Sequence, residues 1–161
     1  MATKYTGEFN YGQCDVGGWK DIVAVSAGGF YTVGLKSDGT VVATEYKGKY
    51  YSGQCDVSDW KDIVGISACG DHTIGLKSDG TVVVASDGEE IPDNVSEWRE
   101  IVAVSTYGDT IIGLKADGSV LLSDDRFSDY NVSNWKLWDG YLYETEFSAM
   151  MEALGFTDVS D

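Results

Sequence analysis

The sequence predicts an all-β protein assembled from a repeated three-stranded unit, and three observations carry that prediction. First, the word Trp19-Lys20-Asp21-Ile22-Val23 returns as Trp60-Lys61-Asp62-Ile63-Val64 and as Trp98-Arg99-Glu100-Ile101-Val102, while Trp135 opens a fourth copy that soon stops matching. The spacing is roughly 40 residues, the range of propellers and solenoids. Second, each copy holds short apolar runs of strand length, punctuated by an Asp-Gly pair. Third, one proline and twenty glycines in 161 residues fit a turn-rich β protein.

Within a copy the elements follow a fixed order. Ile22 to Ala27, Ile63 to Ala68 and Ile101 to Ser105 are apolar at both parities and read as strands covered on both faces. Thr32 to Lys36, Thr73 to Lys77 and Ile111 to Lys115 read as second strands. Asp38-Gly39, Asp79-Gly80 and Asp117-Gly118 supply a pair able to take positive φ, a tight-hairpin signal. They lead into third strands at Val41-Val42, Val82 to Val84 and Val120 to Leu122. Gly34, Gly75 and Gly113 share one mid-strand register, which predicts the close approach of a neighbouring backbone.

A second signature, Asp15-Val16-x-x-Trp19, recurs from Asp56, Asn94 and Asn131. Asp and Asn share a short side-chain oxygen that can close an Asx turn on the amides ahead. The Val and Trp then face the same way. Trp19, Trp60 and Trp98 are expected as wedges between units, each worth about 3–5 kcal/mol on truncation to Ala. Asn94-Val95-Ser96 and Asn131-Val132-Ser133 match the glycosylation acceptor pattern, and their coincidence with this signature reads as turns.

Asp21 to Gly28, the run from Thr32 to Val42, and Tyr11-Gly12-Gln13-Cys14-Asp15-Val16 together resemble the RCC1-like repeat, the blade of a β-propeller family; the resemblance spans about residues 7–138. It implies four-stranded blades packed face to face around an axis. Members of that family act mostly by binding other proteins, as exchange factors for small GTPases or as inhibitors that clamp onto enzymes; the exchange-factor loops have no matching residues here. The expected architecture is three RCC1-like blades plus partial terminal blades, an incomplete propeller or arc, with a short C-terminal helix. The repeat domain covers 1–140, in units of about 19–59, 60–97 and 98–134, and a capping segment covers 141–161. There Phe147, Met150, Met151 and Leu154 fall on one helical face before Gly155.

Three copies do not close a ring of the usual 4–8 blades. The ends, with Phe9 and Tyr11 at one and Trp135, Leu137 and Trp138 at the other, are therefore expected to meet across a homodimer axis. The alternative is a monomer capped at both ends.

Nothing in the sequence assembles a catalytic or cofactor constellation. There is one histidine, no nucleophile elbow, no phosphate loop and no dinucleotide fingerprint. Asp38, Asp79 and Asp117 are explained by turns, and Asp21, Asp62 and Glu100 by a recurring strand start. Cys69 and His72 have ligand-like spacing but no second pair, so neither a metal nor a cofactor is expected. Three cysteines without a secretory signal suggest reduced thiols, and no stretch reaches membrane-spanning length, so a soluble cytoplasmic protein is expected.

Charge points outward. The net charge is −16, and it is uneven: residues 1–59 carry five Lys or Arg against seven Asp or Glu, and residues 60–161 carry six against twenty. Direct nucleic-acid binding is disfavoured, because phosphate contacts need cations, and a basic protein is the complementary partner. Sequence variation between copies concentrates after the third strand, where repeat proteins commonly carry their binding face. The expected partner-binding residues are accordingly Tyr46, Tyr50 and Tyr51 in the first segment, Asp87, Glu89 and Glu90 in the second, and Asp124, Asp125, Arg126, Phe127 and Tyr130 in the third. The function expected is non-enzymatic protein binding, in the form of an inhibitor of a basic nucleic-acid-handling protein, such as phage anti-defence or anti-CRISPR inhibitors. Alternatives are a scaffolding propeller subunit and, from a different class, an enzyme built on a Glu89/Asp125-type carboxylate pair.

Overall fold

The computed structural model describes residues 10–46, 51, 53–86 and 93–123. Three antiparallel sheets follow one another along the chain: β1 (Ile22–Ala27), β2 (Thr32–Lys36) and β3 (Val41–Ala43); β4 (Ile63–Cys69), β5 (His72–Lys77) and β6 (Val82–Ala85); β7 (Ile101–Tyr107), β8 (Thr110–Lys115) and β9 (Val120–Leu122). Each sheet is a meander in sequence order. The nine predicted strands are all present, in a nearly all-β chain whose one described helical element is the 3-10 turn Asp93–Glu97. Each described sheet has three strands, one fewer than the four that the family resemblance implies.

The cores lie between sheets, not within them. Tyr31, Val33, Leu35 and Val41 of the first sheet bury against Val57 of the connecting segment and Ile63, Ala68 and Ala85 of the second sheet. Ile74, Leu76 and Val82 of the second bury against Val95 of the 3-10 turn and Trp98, Ile101 and Ile111 of the third unit. The same residues recur because each sheet offers its neighbour the same face, so burial of one unit depends on the next.

The hairpin at the end of each second strand is tighter in its requirements than the Asp-Gly pair alone suggests. The Gly39 amide donates to the Lys36 carbonyl at 3.0 Å and the Lys36 amide to the Thr40 carbonyl at 2.9 Å, which makes a three-residue loop with a bulge. Only the glycines take positive φ, 79° at Gly39 and Gly80 and 82° at Gly118. The aspartate fixes the turn from its side chain: Asp38 Oδ1 accepts from the Thr40 amide (2.9 Å) and hydroxyl (2.6 Å), and Asp79 and Asp117 do the same with Thr81 and Ser119.

Two expectations need correction. The first strand of each sheet is not covered on both faces, since Val23, Val25, Val64 and Val102 are exposed. These strands sit at the sheet edge, and a bulge between Ile22 and Ala24, repeated at Ile63/Gly65 and Ile101/Ala103, turns side chains outward. The mid-strand glycines face an indole, not a backbone: a Cβ at Gly34, Gly75 or Gly113 would lie 2.7–2.8 Å from the Trp19, Trp60 or Trp98 ring.

Candidate protein-interaction site

The residues expected to bind a partner and described in the structure are Tyr46 and Tyr51, and they lie side by side. Their rings stack with centroids 6.2 Å apart at 25°. Tyr11, expected at a chain end, joins the same row against Tyr46 at 5.9 Å, and Phe30 meets Tyr11 edge-on at 4.9 Å. Three separate segments build this row. Gly12, at φ 91°, lets the chain before β1 run against the end of β3, where a Cβ would sit 2.5 Å from the Glu45 carbonyl. The hairpin after β1 supplies Phe30, and the approach to the second unit supplies Tyr51.

Phe30 and Tyr51 are 43% and 49% exposed and Tyr11 and Tyr46 are half-buried, so the row reaches solvent at both ends. A hollow of about 350 Å³ beside it is lined by Ala43, Thr44, Glu45, Tyr46, Tyr51 and Cys55. The Tyr51 hydroxyl donates to Asp56 Oδ1 at 2.5 Å. Lost hydration and that carboxylate together hold the phenol above its usual range, so it stays a neutral donor. Burial pushes the Cys55 thiol up to about 11, so it is not a thiolate at neutral pH.

Asp56 therefore binds a phenol instead of capping the amides ahead of it. The turn that follows is closed by backbone, with Trp60 donating to the Val57 carbonyl at 3.2 Å and Trp19 and Trp98 doing likewise to Val16 and Val95.

Tyr50, Asp87, Glu89, Glu90, Asp124, Asp125, Arg126, Phe127 and Tyr130, with the end residues Phe9, Trp135, Leu137 and Trp138, lie outside the described residues, as does the helix at Phe147–Leu154. The Glu89/Asp125 carboxylate pair falls there too. Cys69 and His72 are the cross-strand pair that closes the β4–β5 hairpin around Gly70 and Asp71, which accounts for their spacing. The described residues hold no group of three His, Cys, Asp or Glu side chains suited to a metal ion. No helix among them is long and apolar enough to cross a membrane.

Sequence reasoning missed the polar seam beneath this site. The buried Tyr31 hydroxyl crosses from the first sheet to donate to the His72 carbonyl at 2.6 Å. Thr73 Oγ1 lies 3.0 Å from that hydroxyl and donates to the Gln54 carbonyl at 2.7 Å. Burial holds the Tyr31 phenol well above its usual range. One signal was available: where the second and third copies carry Cys69 and Tyr107, the first carries Gly28, and a Cβ there would stand 2.0 Å from the Tyr31 ring.

No protein-family model and no curated protein sequence matches the chain. Solved structures do. The ectodomain of the Physcomitrella patens receptor kinase CR4 is matched over 63% of this chain and 28% of its own, at 20% identity and a TM-score of 0.54. Human WBSCR16 is matched over 72% of this chain and 40% of its own, at 15% identity and a TM-score of 0.54. Yeast RCC1 (Prp20) is matched over 63% of this chain and 29% of its own, at 16% identity and a TM-score of 0.48. The chain spans less than half the length of these structures, and the likeness to the first two supports a propeller-type repeat fold.

Proposed function

We propose that this RCC1-like chain is a protein-interaction module that performs no chemistry and engages a basic protein partner through the aromatic row of Tyr11, Phe30, Tyr46 and Tyr51. The observation that carries this reading is the row itself: four aromatic rings from three segments in a chain of ring contacts, with Phe30 and Tyr51 exposed at its ends and Tyr11 and Tyr46 half-buried between them. Tyrosines are rigid, amphipathic and enriched at binding hot spots, and prior stacking reduces the entropy lost when a partner orders them.

The net charge of −16 supports the choice of partner. An acidic surface steers a basic protein toward it and repels nucleic acid. A nucleic-acid-handling protein whose cationic groove is blocked by this chain fits that chemistry, and inhibition is the outcome we assign to the contact. Binding should then weaken steeply with salt. Full-length chain immobilised and probed with a nuclease-type basic protein, at about 0.05 M and about 0.5 M salt, tests this. Equal affinity at both would contradict an electrostatic partner, and turnover lost in Glu89→Ala or Asp125→Ala with the fold intact would contradict a purely binding role.

A further inference from the structure

The hollow beside Tyr46 and Tyr51 is built from residues that the second unit does not repeat. Ala43 closes β3 opposite Val33, and Thr44 and Glu45 follow it. The second unit carries Val84, opposite Ile74, and then Ala85 and Ser86. Ala43 thus leaves room that a branched side chain fills, and Glu45 brings a carboxylate where Ser86 has none.

Two kinds of wall enclose about 350 Å³, the small end of ligand cavities. The rings of Tyr46 and Tyr51, with Ala43 and the neutral Cys55 thiol, are surface against which a hydrocarbon stem can lie. Aromatic faces also attract cations. Glu45 is an exposed carboxylate, and Asp56 adds a second through its bond from the Tyr51 hydroxyl. No described cation stands near to neutralise them. Lys36, Lys77 and Lys115 end the second strands, and Lys20, Lys61 and Arg99 precede first strands whose starts pair with those lysines. These six are all the Lys and Arg among the described residues, whereas Thr44 bonds to Thr32 at the opposite end of β2.

We propose that this hollow receives one lysine side chain of the basic partner, its methylene stem against the two tyrosines and its ammonium beside Glu45. Ring geometry selects against arginine as the occupant. A guanidinium plate between two rings needs about 7 Å, two contacts of about 3.5 Å, and the Tyr46 and Tyr51 centroids are 6.2 Å apart. A compact ammonium needs only the flank of the pair. A primary ammonium also has three N–H groups to offer a carboxylate, and a quaternary one has none. The assignment rests on the reading of the row as a partner surface and narrows it to one recognised group.

NMR of the full chain labelled at tyrosine, titrated with n-butylammonium at constant ionic strength and with no partner present, tests it. Tyr46 and Tyr51 should shift along one saturating curve. Neutral n-butanol, n-butylguanidinium and n-butyltrimethylammonium should each bind more weakly. Glu45→Gln and Tyr46→Leu, both checked for fold by circular dichroism, should each weaken n-butylammonium about threefold or more. Lys47 and Lys49 lie between the two tyrosines, outside the described residues, so a Lys47→Met/Lys49→Met chain is titrated alongside and should bind as the unaltered chain does. Binding in that variant alone would show that the chain's own lysine fills the hollow, and would overturn the proposal. Tyrosine resonances that do not respond in any chain, or that respond equally to n-butanol, would overturn it too. Tighter guanidinium or quaternary binding would overturn the choice of lysine. Failure of the row as a partner surface is a separate result: n-butylammonium would still bind, while a basic partner would be held equally with and without Tyr46 and Tyr51.

Discussion

Removal of one wedge tests whether the units are held together by the packing described. Trp98 is 6% exposed and sits between Ile74, Leu76 and Val82 of one sheet and Ile101 and Ile111 of the next. A buried indole hides about 200 Å² of largely apolar surface, which at about 25 cal/mol per Å² amounts to about 5 kcal/mol, and Ala retains a small part of it. Trp98→Ala should therefore cost about 3–5 kcal/mol. Gly113 sharpens the test, because a Cβ there would lie 2.7 Å from the Trp98 ring. Gly113→Ala should cost about 1–3 kcal/mol in the unaltered chain and close to nothing once Trp98 is Ala, leaving a coupling of similar size. Urea unfolding followed by far-UV circular dichroism gives all four corners of the cycle. Additive costs, or a Trp98→Ala loss under about 1 kcal/mol, would refute the wedge.

Asp21, Asp62 and Glu100 hold φ near +60°, a conformation costing an ordinary residue about 1 kcal/mol, so Asp62→Gly should leave thermal stability equal or higher while Asp62→Val lowers it by several degrees. Tyr31→Phe leaves the His72 carbonyl without its buried donor and should cost about 1–3 kcal/mol by urea titration, with no change in secondary structure. The hydroxyls and amides of Thr40 and Thr81 hold Asp38 and Asp79 below the ordinary carboxyl value of 3.8. Carboxyls depressed by folding stabilise fully above the unfolded value and lose that contribution as pH falls through the folded one. NMR titration should therefore place both midpoints under 3.8, and Thr40→Val and Thr81→Val should raise them and flatten the acid limb of stability; unmoved midpoints would contradict the turn geometry.

The strands were legible because the repeat states each of them three times, and β2, from Thr32 to Lys36, and β9, from Val120 to Leu122, have the bounds that the pattern predicts. The left-handed Asp62 was not legible, because a turn-forming residue before a strand has no signature that separates it from an ordinary strand start. The indole against Gly75 was misread as a backbone because periodicity reports a register and not the identity of the neighbour. Of the aromatic row, Tyr46 and Tyr51 were singled out in the sequence from loop variation and residue type. That Tyr11 and Phe30 complete the row depends on Gly12 meeting Glu45 across some thirty residues, a tertiary contact that no local pattern carries.

The central claim is that this chain works by binding a basic protein through the aromatic row. Affinity capture from the native host with the unaltered chain and with a folded Tyr46→Ala/Tyr51→Ala variant, each at low and high salt, tests it most directly. The account predicts a basic partner that the unaltered chain retains at low salt and releases at high salt, and that the double variant binds about 30-fold or more weakly. A neutral or acidic partner, held equally by both chains and indifferent to salt, would contradict it.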